Sequence, residues 1–359
     1  MKVSFLVACL THGGAEKVAS LWINGFVERG YEVSCIIMSE QSPISYSISG
    51  KVNVYKVGPD GQGIKHNINQ IRKIRSFLKE IKPEILITIL HPLGLFGYVA
   101  SIGLGIKVIN TEHNTFDRPD YAPFSRMDIV NKYYINKFFK RVTVFTHADI
   151  SYIGKRLNNV VYLPNPLSMQ PVTTIPSKKQ TILAVGRMEA WHVKGFDLLI
   201  KAWGAICKKY PGWKLQLLGG GDYKYRDYLI DLSKKSGACD NMEIIDFCSD
   251  PQVFYQDASI FVLSSRYEGF GMALLEAMSQ GCACIACDYK GRQSEILASH
   301  ECGIICESNN EGALVNAITY MIDNQEYRES IRVNAIKRSG DFSLSKIMDR
   351  WEEIIKEIN

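Results

Sequence analysis

Two carboxylates stand eight residues apart in the segment SSRYEGFGMALLEAMSQG, which spans residues 264–281. Glu268 precedes a glycine-rich stretch, and Glu276 follows in an apolar run typical of a helix. Eight helical residues amount to about 800° of rotation, so the side chains would lie roughly 80° apart around the helix axis. Because ionised carboxylates are rarely buried without partners, we expect this pair to bind opposite ends of one polar ligand.

The glycines between these carboxylates indicate an anion-binding site. Gly269 and Gly271 would expose backbone N–H groups at the start of the helix MALLEAMSQ, where the helix carries partial positive charge. Glu276, one turn into that helix, suits ribose hydroxyls, and Glu268 suits the hydroxyls of a sugar beyond the phosphates. The alternative is a pair of surface carboxylates that flank a core helix.

Two cations follow the first strand predicted for the second half of the chain, in AVGRMEAWHVKG. Arg187 stands at the strand tip and Lys194 just before a helix. A guanidinium fork and an ammonium together suit a diphosphate. The segment LLGGGD, with glycines at 219–221, repeats the strand–glycine–helix pattern.

The first half offers a glycine loop and a histidine. The loop THGGAE follows the first strand, where Gly13 and Gly14 could bring a helix start close to an anion; the alternative is an ordinary tight turn. The absence of a G-x-G-x-x-G fingerprint there disfavours a dinucleotide-dependent dehydrogenase. The fifth strand ends in a polar run at 110–114, and because unpaired buried polar groups are costly, we expect this run and its His113 to face a site.

Short β-branched runs alternate with helix-length segments along the whole chain. Seven such runs precede residue 168, and six follow it: VSFLVACL, EVSCIIM, VNVYKV, ILITIL, KVINTEH, RVTVFTH and VVYLP, then TILAVG, KLQLLG, MEIIDF, SIFVL, ACIACD and GIIC. Strands that are apolar on both faces are typical of parallel sheets covered by helices. We therefore predict an α/β fold of two Rossmann-like, doubly wound domains that face a cleft and bind ligand beyond their strands' carboxyl ends.

The domain boundaries follow from a loss of periodicity. The segment NPLSMQPVTTIPSKKQ gathers proline, serine and threonine, which is typical of a linker. We place the first domain at 1–167, the second at 168–340 and a C-terminal helix at 341–359 that packs back toward the first domain.

The composition is that of a soluble globular protein, with 46% apolar and 22% charged residues. Residues 1–167 hold 20 Lys and Arg against 12 Asp and Glu, whereas residues 168–359 hold 22 against 25. A basic first half suggests a polyanionic or membrane-surface partner; the alternative is that these lysines are simply solvated.

Neither the cysteines nor the chain start predicts a special function. Most of the ten cysteines lie in apolar runs, as expected of reduced thiols that pack as small hydrophobes. The run Cys282-x-Cys284-x-x-Cys287 has no second ligand pair, so we predict no metal site. The start MKVSFLVACL favours a first strand over a signal peptide, and no apolar stretch approaches the length of a membrane span.

Six segments, in order along the chain, together resemble the retaining glycosyltransferases of family 4, which have the GT-B fold. They are GGAEK, TEHN, LPNP, GR…KG, GGGD and EGFGMALLEA, the last with Glu268 and Glu276 as an E-x7-E pair. The start, MKVSFLVACLTHGGAEKVA, resembles bacterial members that build lipid-linked polysaccharide or oligosaccharide. The resemblance covers nearly the whole chain.

The resemblance implies roles for the residues around the donor diphosphate. Gly13 and Gly14 would face it from the first domain, and His113 would lie beside the transferred sugar. Arg187 and Lys194 would neutralise the leaving diphosphate.

It also implies how the sugar and ribose are held. Glu268 would hold the donor sugar, with the backbone of Phe270, Gly271 and Met272 around it, and Glu276 would bind ribose. The catalytic residues that the resemblance predicts are His113, Arg187 and Glu268.

Two departures from the family pattern weaken parts of this assignment. Arg187 and Lys194 are seven residues apart, further than is usual, with Trp191 and His192 in the extra length. Asp246 stands where the family usually has glycine, near the expected nucleobase pocket, which leaves the base open although uridine is usual.

From these residues we expect transfer of a hexose or N-acetylhexosamine from a nucleotide-diphosphate sugar, with retention of anomeric configuration. Fixed cations and helix N–H groups would stabilise the charge that grows on the leaving β-phosphate. No D-x-D sequence is present to seat Mg²⁺, so we expect no metal and no other cofactor. Whether Glu268 positions the sugar or attacks it stays open.

The acceptor is expected to be a saccharide on a polyprenyl-diphosphate lipid, reached in the cytoplasm at the inner face of the membrane. Two basic, partly aromatic segments of the first domain could rest on anionic lipid. Their cations are Arg126, Lys132, Lys137, Lys140 and Arg141, and Arg72, Lys73, Arg75 and Lys79. The alternative is two amphipathic helices with solvated outer faces.

Other functions remain open at this point. A nucleotide-sugar epimerase would use the donor alone, and a non-catalytic nucleotide-sugar-binding protein would keep the cleft without turnover. Nucleic-acid binding is disfavoured, because the basic residues are dispersed and accompany no recognition motif.

Overall fold

The computed structural model describes residues 1–358 except 12, 42, 60 and 91; the side chain of residue 239 also lies outside the description. The chain divides into two compact units, Met1–Ser168 with Ser343–Asn359, and Met169–Phe342. His12, which belongs to the predicted glycine loop, is among the residues not described.

The first unit is built on a sheet of seven strands, all parallel, in the order β3-β2-β1-β4-β5-β6-β7. The strands are β1 (Lys2–Val7), β2 (Glu32–Ser39), β3 (Asn53–Gly58), β4 (Ile85–Ile89), β5 (Lys107–Thr111), β6 (Arg141–Val144) and β7 (Val160–Tyr162). The helices before the linker are α1 (Gly14–Glu28), α2 (Ile64–Ile81), α3 (Leu93–Ser101), α4 (Arg126–Tyr133) and α5 (His147–Ile153), with 3₁₀ turns at Ile135–Phe138 and Gly154–Arg156.

Helices cover both faces of this sheet because its central strands are apolar on both sides. Leu6 of β1 packs in one core with α2 and α3, represented by Leu78 and Phe96. Its neighbour Phe5 contacts the ring of Phe26 in α1, with centroids 5.7 Å apart. Successive strand residues point to opposite faces, so α1 lies on the face opposite α2 and α3.

The second unit contains a six-stranded parallel sheet in the order β10-β9-β8-β11-β12-β13. The strands are β8 (Lys179–Val185), β9 (Lys214–Leu218), β10 (Met242–Ile245), β11 (Ala258–Leu263), β12 (Ala283–Asp288) and β13 (Ile304–Glu307). The helices are α6 (Trp191–Lys194), α7 (Phe196–Ile206), α8 (Tyr223–Ser236), α9 (Gln252–Asp257), α10 (Met272–Ser279), α11 (Arg292–Leu297), α12 (Glu311–Asp323) and α13 (Gln325–Ser339). Four 3₁₀ turns lie at Met188–Ala190, Cys207–Lys209, Cys239–Asn241 and Gly340–Phe342.

The core of the second unit joins its strands to α7 and α12. Trp203 and Phe196 of α7 are fully buried in one cluster with Ile182 of β8 and Leu314 of α12. Burial of each large side chain of this kind contributes about 1.5–3 kcal/mol, so this cluster holds the strand ends, and the loops that follow them, in place.

The last helix, α14 (Leu344–Ile358), belongs to the first unit. Its Trp351 packs edge-on against Trp22 of α1, with ring centroids 5.2 Å apart. Asp349 accepts a hydrogen bond of 2.6 Å from Arg29 just beyond α1. The aromatic contact is fully buried, so it anchors the helix more strongly than the partly exposed ion pair.

The predicted α/β fold of two parallel-sheet domains is confirmed, and each of the thirteen predicted strand segments contains a strand. One connection differs from the alternation: between β2 and β3, the described residues 40, 41 and 43–52 include no helix. Across the part of the chain that the structure describes, none of the helices combines the length and apolarity needed to cross a membrane.

We predict that Gly204→Ala destabilises the second unit, although alanine ordinarily favours a helix. A Cβ at this position of α7 would lie 2.2 Å from the backbone oxygen of Ser236 at the end of α8. The two helices would have to separate, which costs about 1–3 kcal/mol. The midpoint of urea unfolding measures the change.

Gly340→Ala is the matched control, because a Cβ at this position would meet nothing within 4 Å and the φ of −62° suits any residue. We expect a change within about 1 kcal/mol there. Equal loss in both variants would contradict the helix-contact explanation.

Candidate functional site

An ion pair joins two loops at the carboxyl edge of the second sheet. Lys194, after β8, places Nζ 2.6 Å from Oε1 of Glu268, after β11. The same Oε1 accepts a hydrogen bond of 2.7 Å from Oγ of Ser265. Within the described part of the chain, no hydrogen bond reaches the second carboxylate oxygen of Glu268. The two side chains keep 24% and 14% of their surface exposed, so the pair is accessible to a ligand.

The two extra residues between the predicted cations form part of a helical turn that delivers Lys194 to this position. Trp191 begins the turn α6 and packs on Tyr228, with ring centroids 4.6 Å apart. The turn ends at Gly195, whose φ is +64° and where a Cβ would lie 2.0 Å from the backbone oxygen of Ser264. Only glycine permits this approach. Ser264 Oγ then donates to the Lys194 carbonyl at 2.8 Å.

Arg187 lies in the same loop as Lys194. The methylene stem of Lys194 passes Gly186, because a Cβ on Gly186 would meet three of its carbons at 3.1–3.2 Å. Arg187, the next residue, is exposed, and its guanidinium makes no hydrogen bond or ion pair to any residue that the structure describes. The loop therefore carries one cation already paired and one directed to solvent.

The backbone N–H groups at the start of α10 can bind a ligand, whereas the nearby side chain of Phe270 is buried and cannot. Gly271 is the N-cap residue, and no side chain caps the first turn, which begins at Met272. The ring of Phe270 is buried and contacts Phe342, with centroids 5.8 Å apart. Phe270 therefore presents its backbone only.

The carboxylate of Glu276 is held by a buried tyrosine. Tyr255 Oη donates to Glu276 Oε2 at 2.9 Å. Burial, reinforced by the negative charge of Glu276, raises the pKa of Tyr255 well above its usual value. The phenol thus stays protonated and holds the carboxylate in one orientation.

The residue that departs from the family pattern, Asp246, is exposed and pairs with Arg226 of α8. The second guanidinium nitrogen of Arg226 donates to the carbonyl of Ile244 at 3.0 Å. The glycines 219–221 directly follow β9, which lies between β10 and β8 in the sheet, and a Cβ on Gly219 would meet the carbonyl oxygen of Gly186 at 1.9 Å. A carboxylate where glycine is usual is therefore compensated by a neighbouring guanidinium.

In the first unit, the carboxylate of Glu16 lies at the start of α1, where the sequence predicts an anion-binding site. Gly13 is the N-cap residue and Gly14 the first helical residue. The carboxylate of Glu16 lies where a Cβ of residue 13 would project, while the space around Gly14 is open. Glu16 thus supplies the negative charge that a helix start favours.

His113 is held between two aromatic rings and is neutral. Trp22 and Phe145 lie with ring centroids 5.7 and 5.0 Å from the imidazole. Burial lowers the pKa of His113 to about 3, and the opposing effect of nearby Glu112 does not restore it. Nε2 lies 3.1 Å from Thr111 Oγ1.

The hydroxyl of Thr111 determines the tautomer of His113. Thr111 donates its single proton to the carbonyl of Thr88 at 2.9 Å. Its oxygen must therefore accept from His113, so Nε2 carries the imidazole proton and Nδ1 keeps a lone pair. His113 can accept a hydrogen bond from a ligand hydroxyl at Nδ1.

The prediction that the whole polar run at 110–114 faces a site is wrong, because much of it forms a buried internal network. Glu112 binds Lys132 Nζ at 2.6 Å and accepts a hydrogen bond from Asn136 at 2.9 Å, and both charged side chains are almost fully buried. Asn110 donates to Asn136 at 3.0 Å. Lys132 is consequently not one of the lipid-facing cations.

Sequence reasoning missed two residues that hold the predicted carboxylates. Ser265 lies three residues before Glu268, a spacing that could have suggested a local hydrogen bond. Tyr255 belongs to α9 and meets Glu276 only through tertiary packing, so nothing in its local sequence indicates the contact.

The predicted absence of a cysteine metal site stays a prediction, but the thiols have the character of core residues. Cys282, Cys284 and Cys287 are buried, and burial raises the pKa of each. Among the described residues, no three His, Cys, Asp or Glu side chains are grouped as metal ligands would be.

Comparison with known families assigns each unit. Residues 168–338 match the family described as "Glycosyl transferases group 1", and residues 12–166 match "Glycosyltransferase Family 4". Outside the two matched segments lie residues 1–11, residue 167 and residues 339–359.

Whole-length relatives are similar at low identity. An uncharacterized glycosyltransferase of Haemophilus influenzae is 27% identical over 359 residues, covering 99% of each chain. A Campylobacter jejuni enzyme is 23% identical over 369 residues, covering 100% of this chain and 99% of its own. Its name is GalNAc-alpha-(1->4)-GalNAc-alpha-(1->3)-diNAcBac-PP-undecaprenol alpha-1,4-N-acetyl-D-galactosaminyltransferase.

A solved structure shares the fold. HepE of Anabaena, in complex with UDP and glucose, superposes with a TM-score of 0.82 at 17% identity and covers 99% of both chains. With both units matched and both sheets in place, the chain is a glycosyltransferase of family 4 with the GT-B fold.

Proposed function

We propose that this enzyme transfers a hexose or N-acetylhexosamine from a UDP-sugar to a saccharide carried on a lipid diphosphate, with retention of anomeric configuration and without a metal. The observation that carries the proposal is the accessible Lys194–Glu268 pair beside an unpartnered Arg187. Together these groups offer two cations and one carboxylate at the carboxyl edge of a parallel sheet.

The charges suit a diphosphate that leaves. Lys194 and Arg187 come from one loop, and the uncapped first turn of α10 adds N–H groups of partial positive charge. As the glycosidic bond breaks, negative charge grows on the β-phosphate, and fixed positive groups stabilise it most. These cations take the charge role that Mg²⁺ has in other transferases.

Glu268 suits the donor sugar because only one of its oxygens is engaged. Lys194 and Ser265 both bind Oε1, so Oε2 can accept hydrogen bonds from sugar hydroxyls. We assign Glu268 a positioning role, and the leaving phosphate accepts the proton of the attacking hydroxyl on the same face of the sugar.

Glu276 suits the ribose, since Tyr255 holds its carboxylate in one orientation. The choice of uridine is supported by HepE, whose structure contains UDP and glucose. The choice of a lipid-diphosphate acceptor is supported by the Campylobacter jejuni relative, whose name specifies a saccharide on PP-undecaprenol.

In the first unit, we assign His113 to the transferred sugar as a neutral hydrogen-bond acceptor. Its Nδ1 lone pair fits a sugar hydroxyl, whereas an imidazolium would offer a donor only. Gly13 and Gly14 keep their proposed place near the donor diphosphate, which would bind the backbone N–H groups at the start of α1 through the open space around Gly14, in place of the Glu16 carboxylate that lies against Gly13.

The lipid-linked acceptor requires the enzyme to work at a membrane surface, for which the first unit offers an apolar ridge. Met127 and Val130 of α4, and Tyr134 directly after it, follow the spacing of one helix face and are 65%, 43% and 60% exposed. Phe138, in the next turn, is 60% exposed. Large apolar side chains at one helix face are typical of an interfacial contact.

Cations flank this ridge as an anionic bilayer would require. Arg126, Lys137 and Lys140 are exposed, and Lys137 lies over the ring of Tyr134 with Nζ 5.5 Å from its centre. Two of the other predicted cations are engaged within the protein, Arg75 by backbone carbonyls and Arg141 by a carboxylate. We propose that α4 and its flanking cations rest on the cytoplasmic face of the membrane.

Removing the proposed donor contacts should separate turnover from binding. With UDP-N-acetylhexosamines and lipid-linked saccharide acceptors, we expect Lys194→Met to lower kcat by about 10² to 10³, because it removes a cation that acts on the leaving group.

Glu276→Gln should instead weaken UDP binding, measured by calorimetry. A chelator should leave turnover unchanged.

Glu329→Gln, on the surface of α13, is the control for loss of a carboxylate in the same unit. Unchanged UDP affinity in Glu276→Gln would remove the ribose assignment. Turnover of GDP- or ADP-sugars in preference to UDP-sugars would overturn the choice of base, and release of an isomerised sugar without transfer would indicate an epimerase.

His113 should remain neutral as the Nε2–H tautomer down to about pH 4, because burial lowers its pKa to about 3. Two-dimensional proton–nitrogen NMR of histidine-labelled protein reports the tautomer, and His113→Gln assigns the signal. The unfolded state binds the proton from about pH 6.5 downward, so stability should fall with acidification between about pH 6.5 and 3.

In His113→Gln this contribution to the pH dependence should be lost. A His113 resonance that titrates near pH 6.5 would show that the imidazole is not enclosed and would contradict the acceptor role.

Serine substitution of the ridge (Met127→Ser, Val130→Ser and Tyr134→Ser together) should abolish flotation at high salt with vesicles of phosphatidylglycerol and phosphatidylcholine, because screening removes the contribution of the flanking cations. Apolar contact supplies part of the binding and charge the rest, so wild-type flotation should weaken but persist at high salt. Serine at three exposed apolar residues of the second unit (Tyr223→Ser, Val253→Ser and Val333→Ser together) should have no effect on flotation. Failure of the wild-type protein to float at either salt would remove the membrane assignment.

A further inference from the structure

A buried arginine precedes Glu268 in the loop after β11, and it makes more hydrogen bonds than Arg187 or Lys194. Arg266, between Ser265 and Tyr267, is 8% exposed. Its guanidinium forms a two-point ion pair with Asp197 in the first turn of α7, at 2.7 and 2.8 Å. This geometry is the strongest that arginine forms with a carboxylate.

The remaining contacts of Arg266 reach two other loops. Nη1 also donates to the carbonyl of His192 at 2.5 Å, and Nε donates to Oδ1 of Asn309 at 2.9 Å. The backbone N–H of Arg266 donates to the carbonyl of Val193 at 2.8 Å. Ser308 Oγ, in turn, donates to the carbonyl of Arg266 at 2.9 Å.

These bonds join the loops that follow β8, β11 and β13. The bonded carbonyls of His192 and Val193 directly precede Lys194, and Arg266 itself stands two residues before Glu268. The orientation of the Lys194–Glu268 pair thus depends on backbone that Arg266 holds from one side. Asn309 adopts a left-handed conformation, with φ +60°, which places its amide oxygen on the guanidinium.

A buried ion pair of this kind is a poor choice for stability alone. Removing two charges from water is costly, and well-packed apolar side chains often replace such pairs without loss. Arg266 uses its several fixed N–H donors to set three loops in register, a task that apolar packing performs less precisely because it is not directional.

We propose that Arg266, with Asp197, is a positioning residue that aligns Lys194 and Glu268 for the departing diphosphate; this inference rests on the proposed function. It touches neither sugar nor phosphate and acts through the backbone of the neighbouring loop. The extra length between Arg187 and Lys194, which contains Trp191 and His192, takes part in this arrangement, because Arg266 donates a hydrogen bond to the His192 carbonyl.

The test is a double-mutant cycle between Arg266→Lys and Lys194→Met. Lysine keeps the buried charge opposite Asp197 but lacks the fork that reaches His192 and Asn309. We expect Arg266→Lys to lower kcat by about 10²-fold, with less effect on the donor KM. In the Lys194→Met background the same substitution should cost only a few-fold, because the group that it aligns is gone.

Arg328→Lys provides the matched control for a buried arginine. Arg328 is 9% exposed and donates to the carbonyls of Met321 and Ile322 in the same unit. It should lower the melting temperature without lowering kcat. Equal loss of kcat in both backgrounds of Arg266→Lys, or an equal loss from Arg328→Lys, would overturn the positioning role.

Hydrogen–deuterium exchange separates failure of this inference from failure of the proposed function. Arg266→Lys should accelerate exchange in peptides from 187–195 and 264–271, whereas Arg328→Lys should not. If no nucleotide-sugar turnover is found in the wild-type protein, the proposed function fails and this exchange pattern still decides whether Arg266 holds the loops. Unchanged exchange in both peptides would overturn the inference whatever the enzyme's activity.

Discussion

The ion pair between Lys194 and Glu268 is the interaction on which the site depends. Its partners lie 74 residues apart in the chain, and they meet because β8 and β11 are neighbouring parallel strands whose carboxyl ends share one edge of the sheet. Parallel strands impose this convergence, since every loop that leaves a strand tip emerges on the same side. The backbone has to approach closely as well, which Gly195 permits against the carbonyl of Ser264.

The two units use buried charge for different purposes. In the first unit, Glu112 and Lys132 are buried as an ion pair, and neighbouring asparagines donate hydrogen bonds to the carboxylate. In the second, Glu268 remains partly exposed and its Oε2 has no hydrogen bond from the described residues. A carboxylate whose acceptors are filled serves the fold, whereas one with an open oxygen can meet a ligand.

Neutral groups also shape the chemistry at both strand edges. Burial between two aromatic rings lowers the pKa of His113 and keeps the imidazole uncharged, while Thr111 selects the tautomer. Around Glu276, the protonated hydroxyl of Tyr255 fixes a charged acceptor. In each case a buried neighbour determines what the site residue can donate or accept.

The sequence by itself determined the parallel α/β architecture, because strands that are apolar on both faces and alternate with helices have few other ways to bury their surface. It also indicated the loops at 187–194 and 264–276, since glycines and charged residues directly follow predicted strands. It did not reveal that Glu112 and Lys132 form an internal pair, that Tyr255 holds Glu276, or that Arg266 joins three loops. These contacts link residues about 20 to 70 positions apart, and no local pattern records which distant side chain fills a hydrogen-bond position. Only the tertiary packing decides that, because burial and pairing are properties of the folded neighbourhood and not of the residue type.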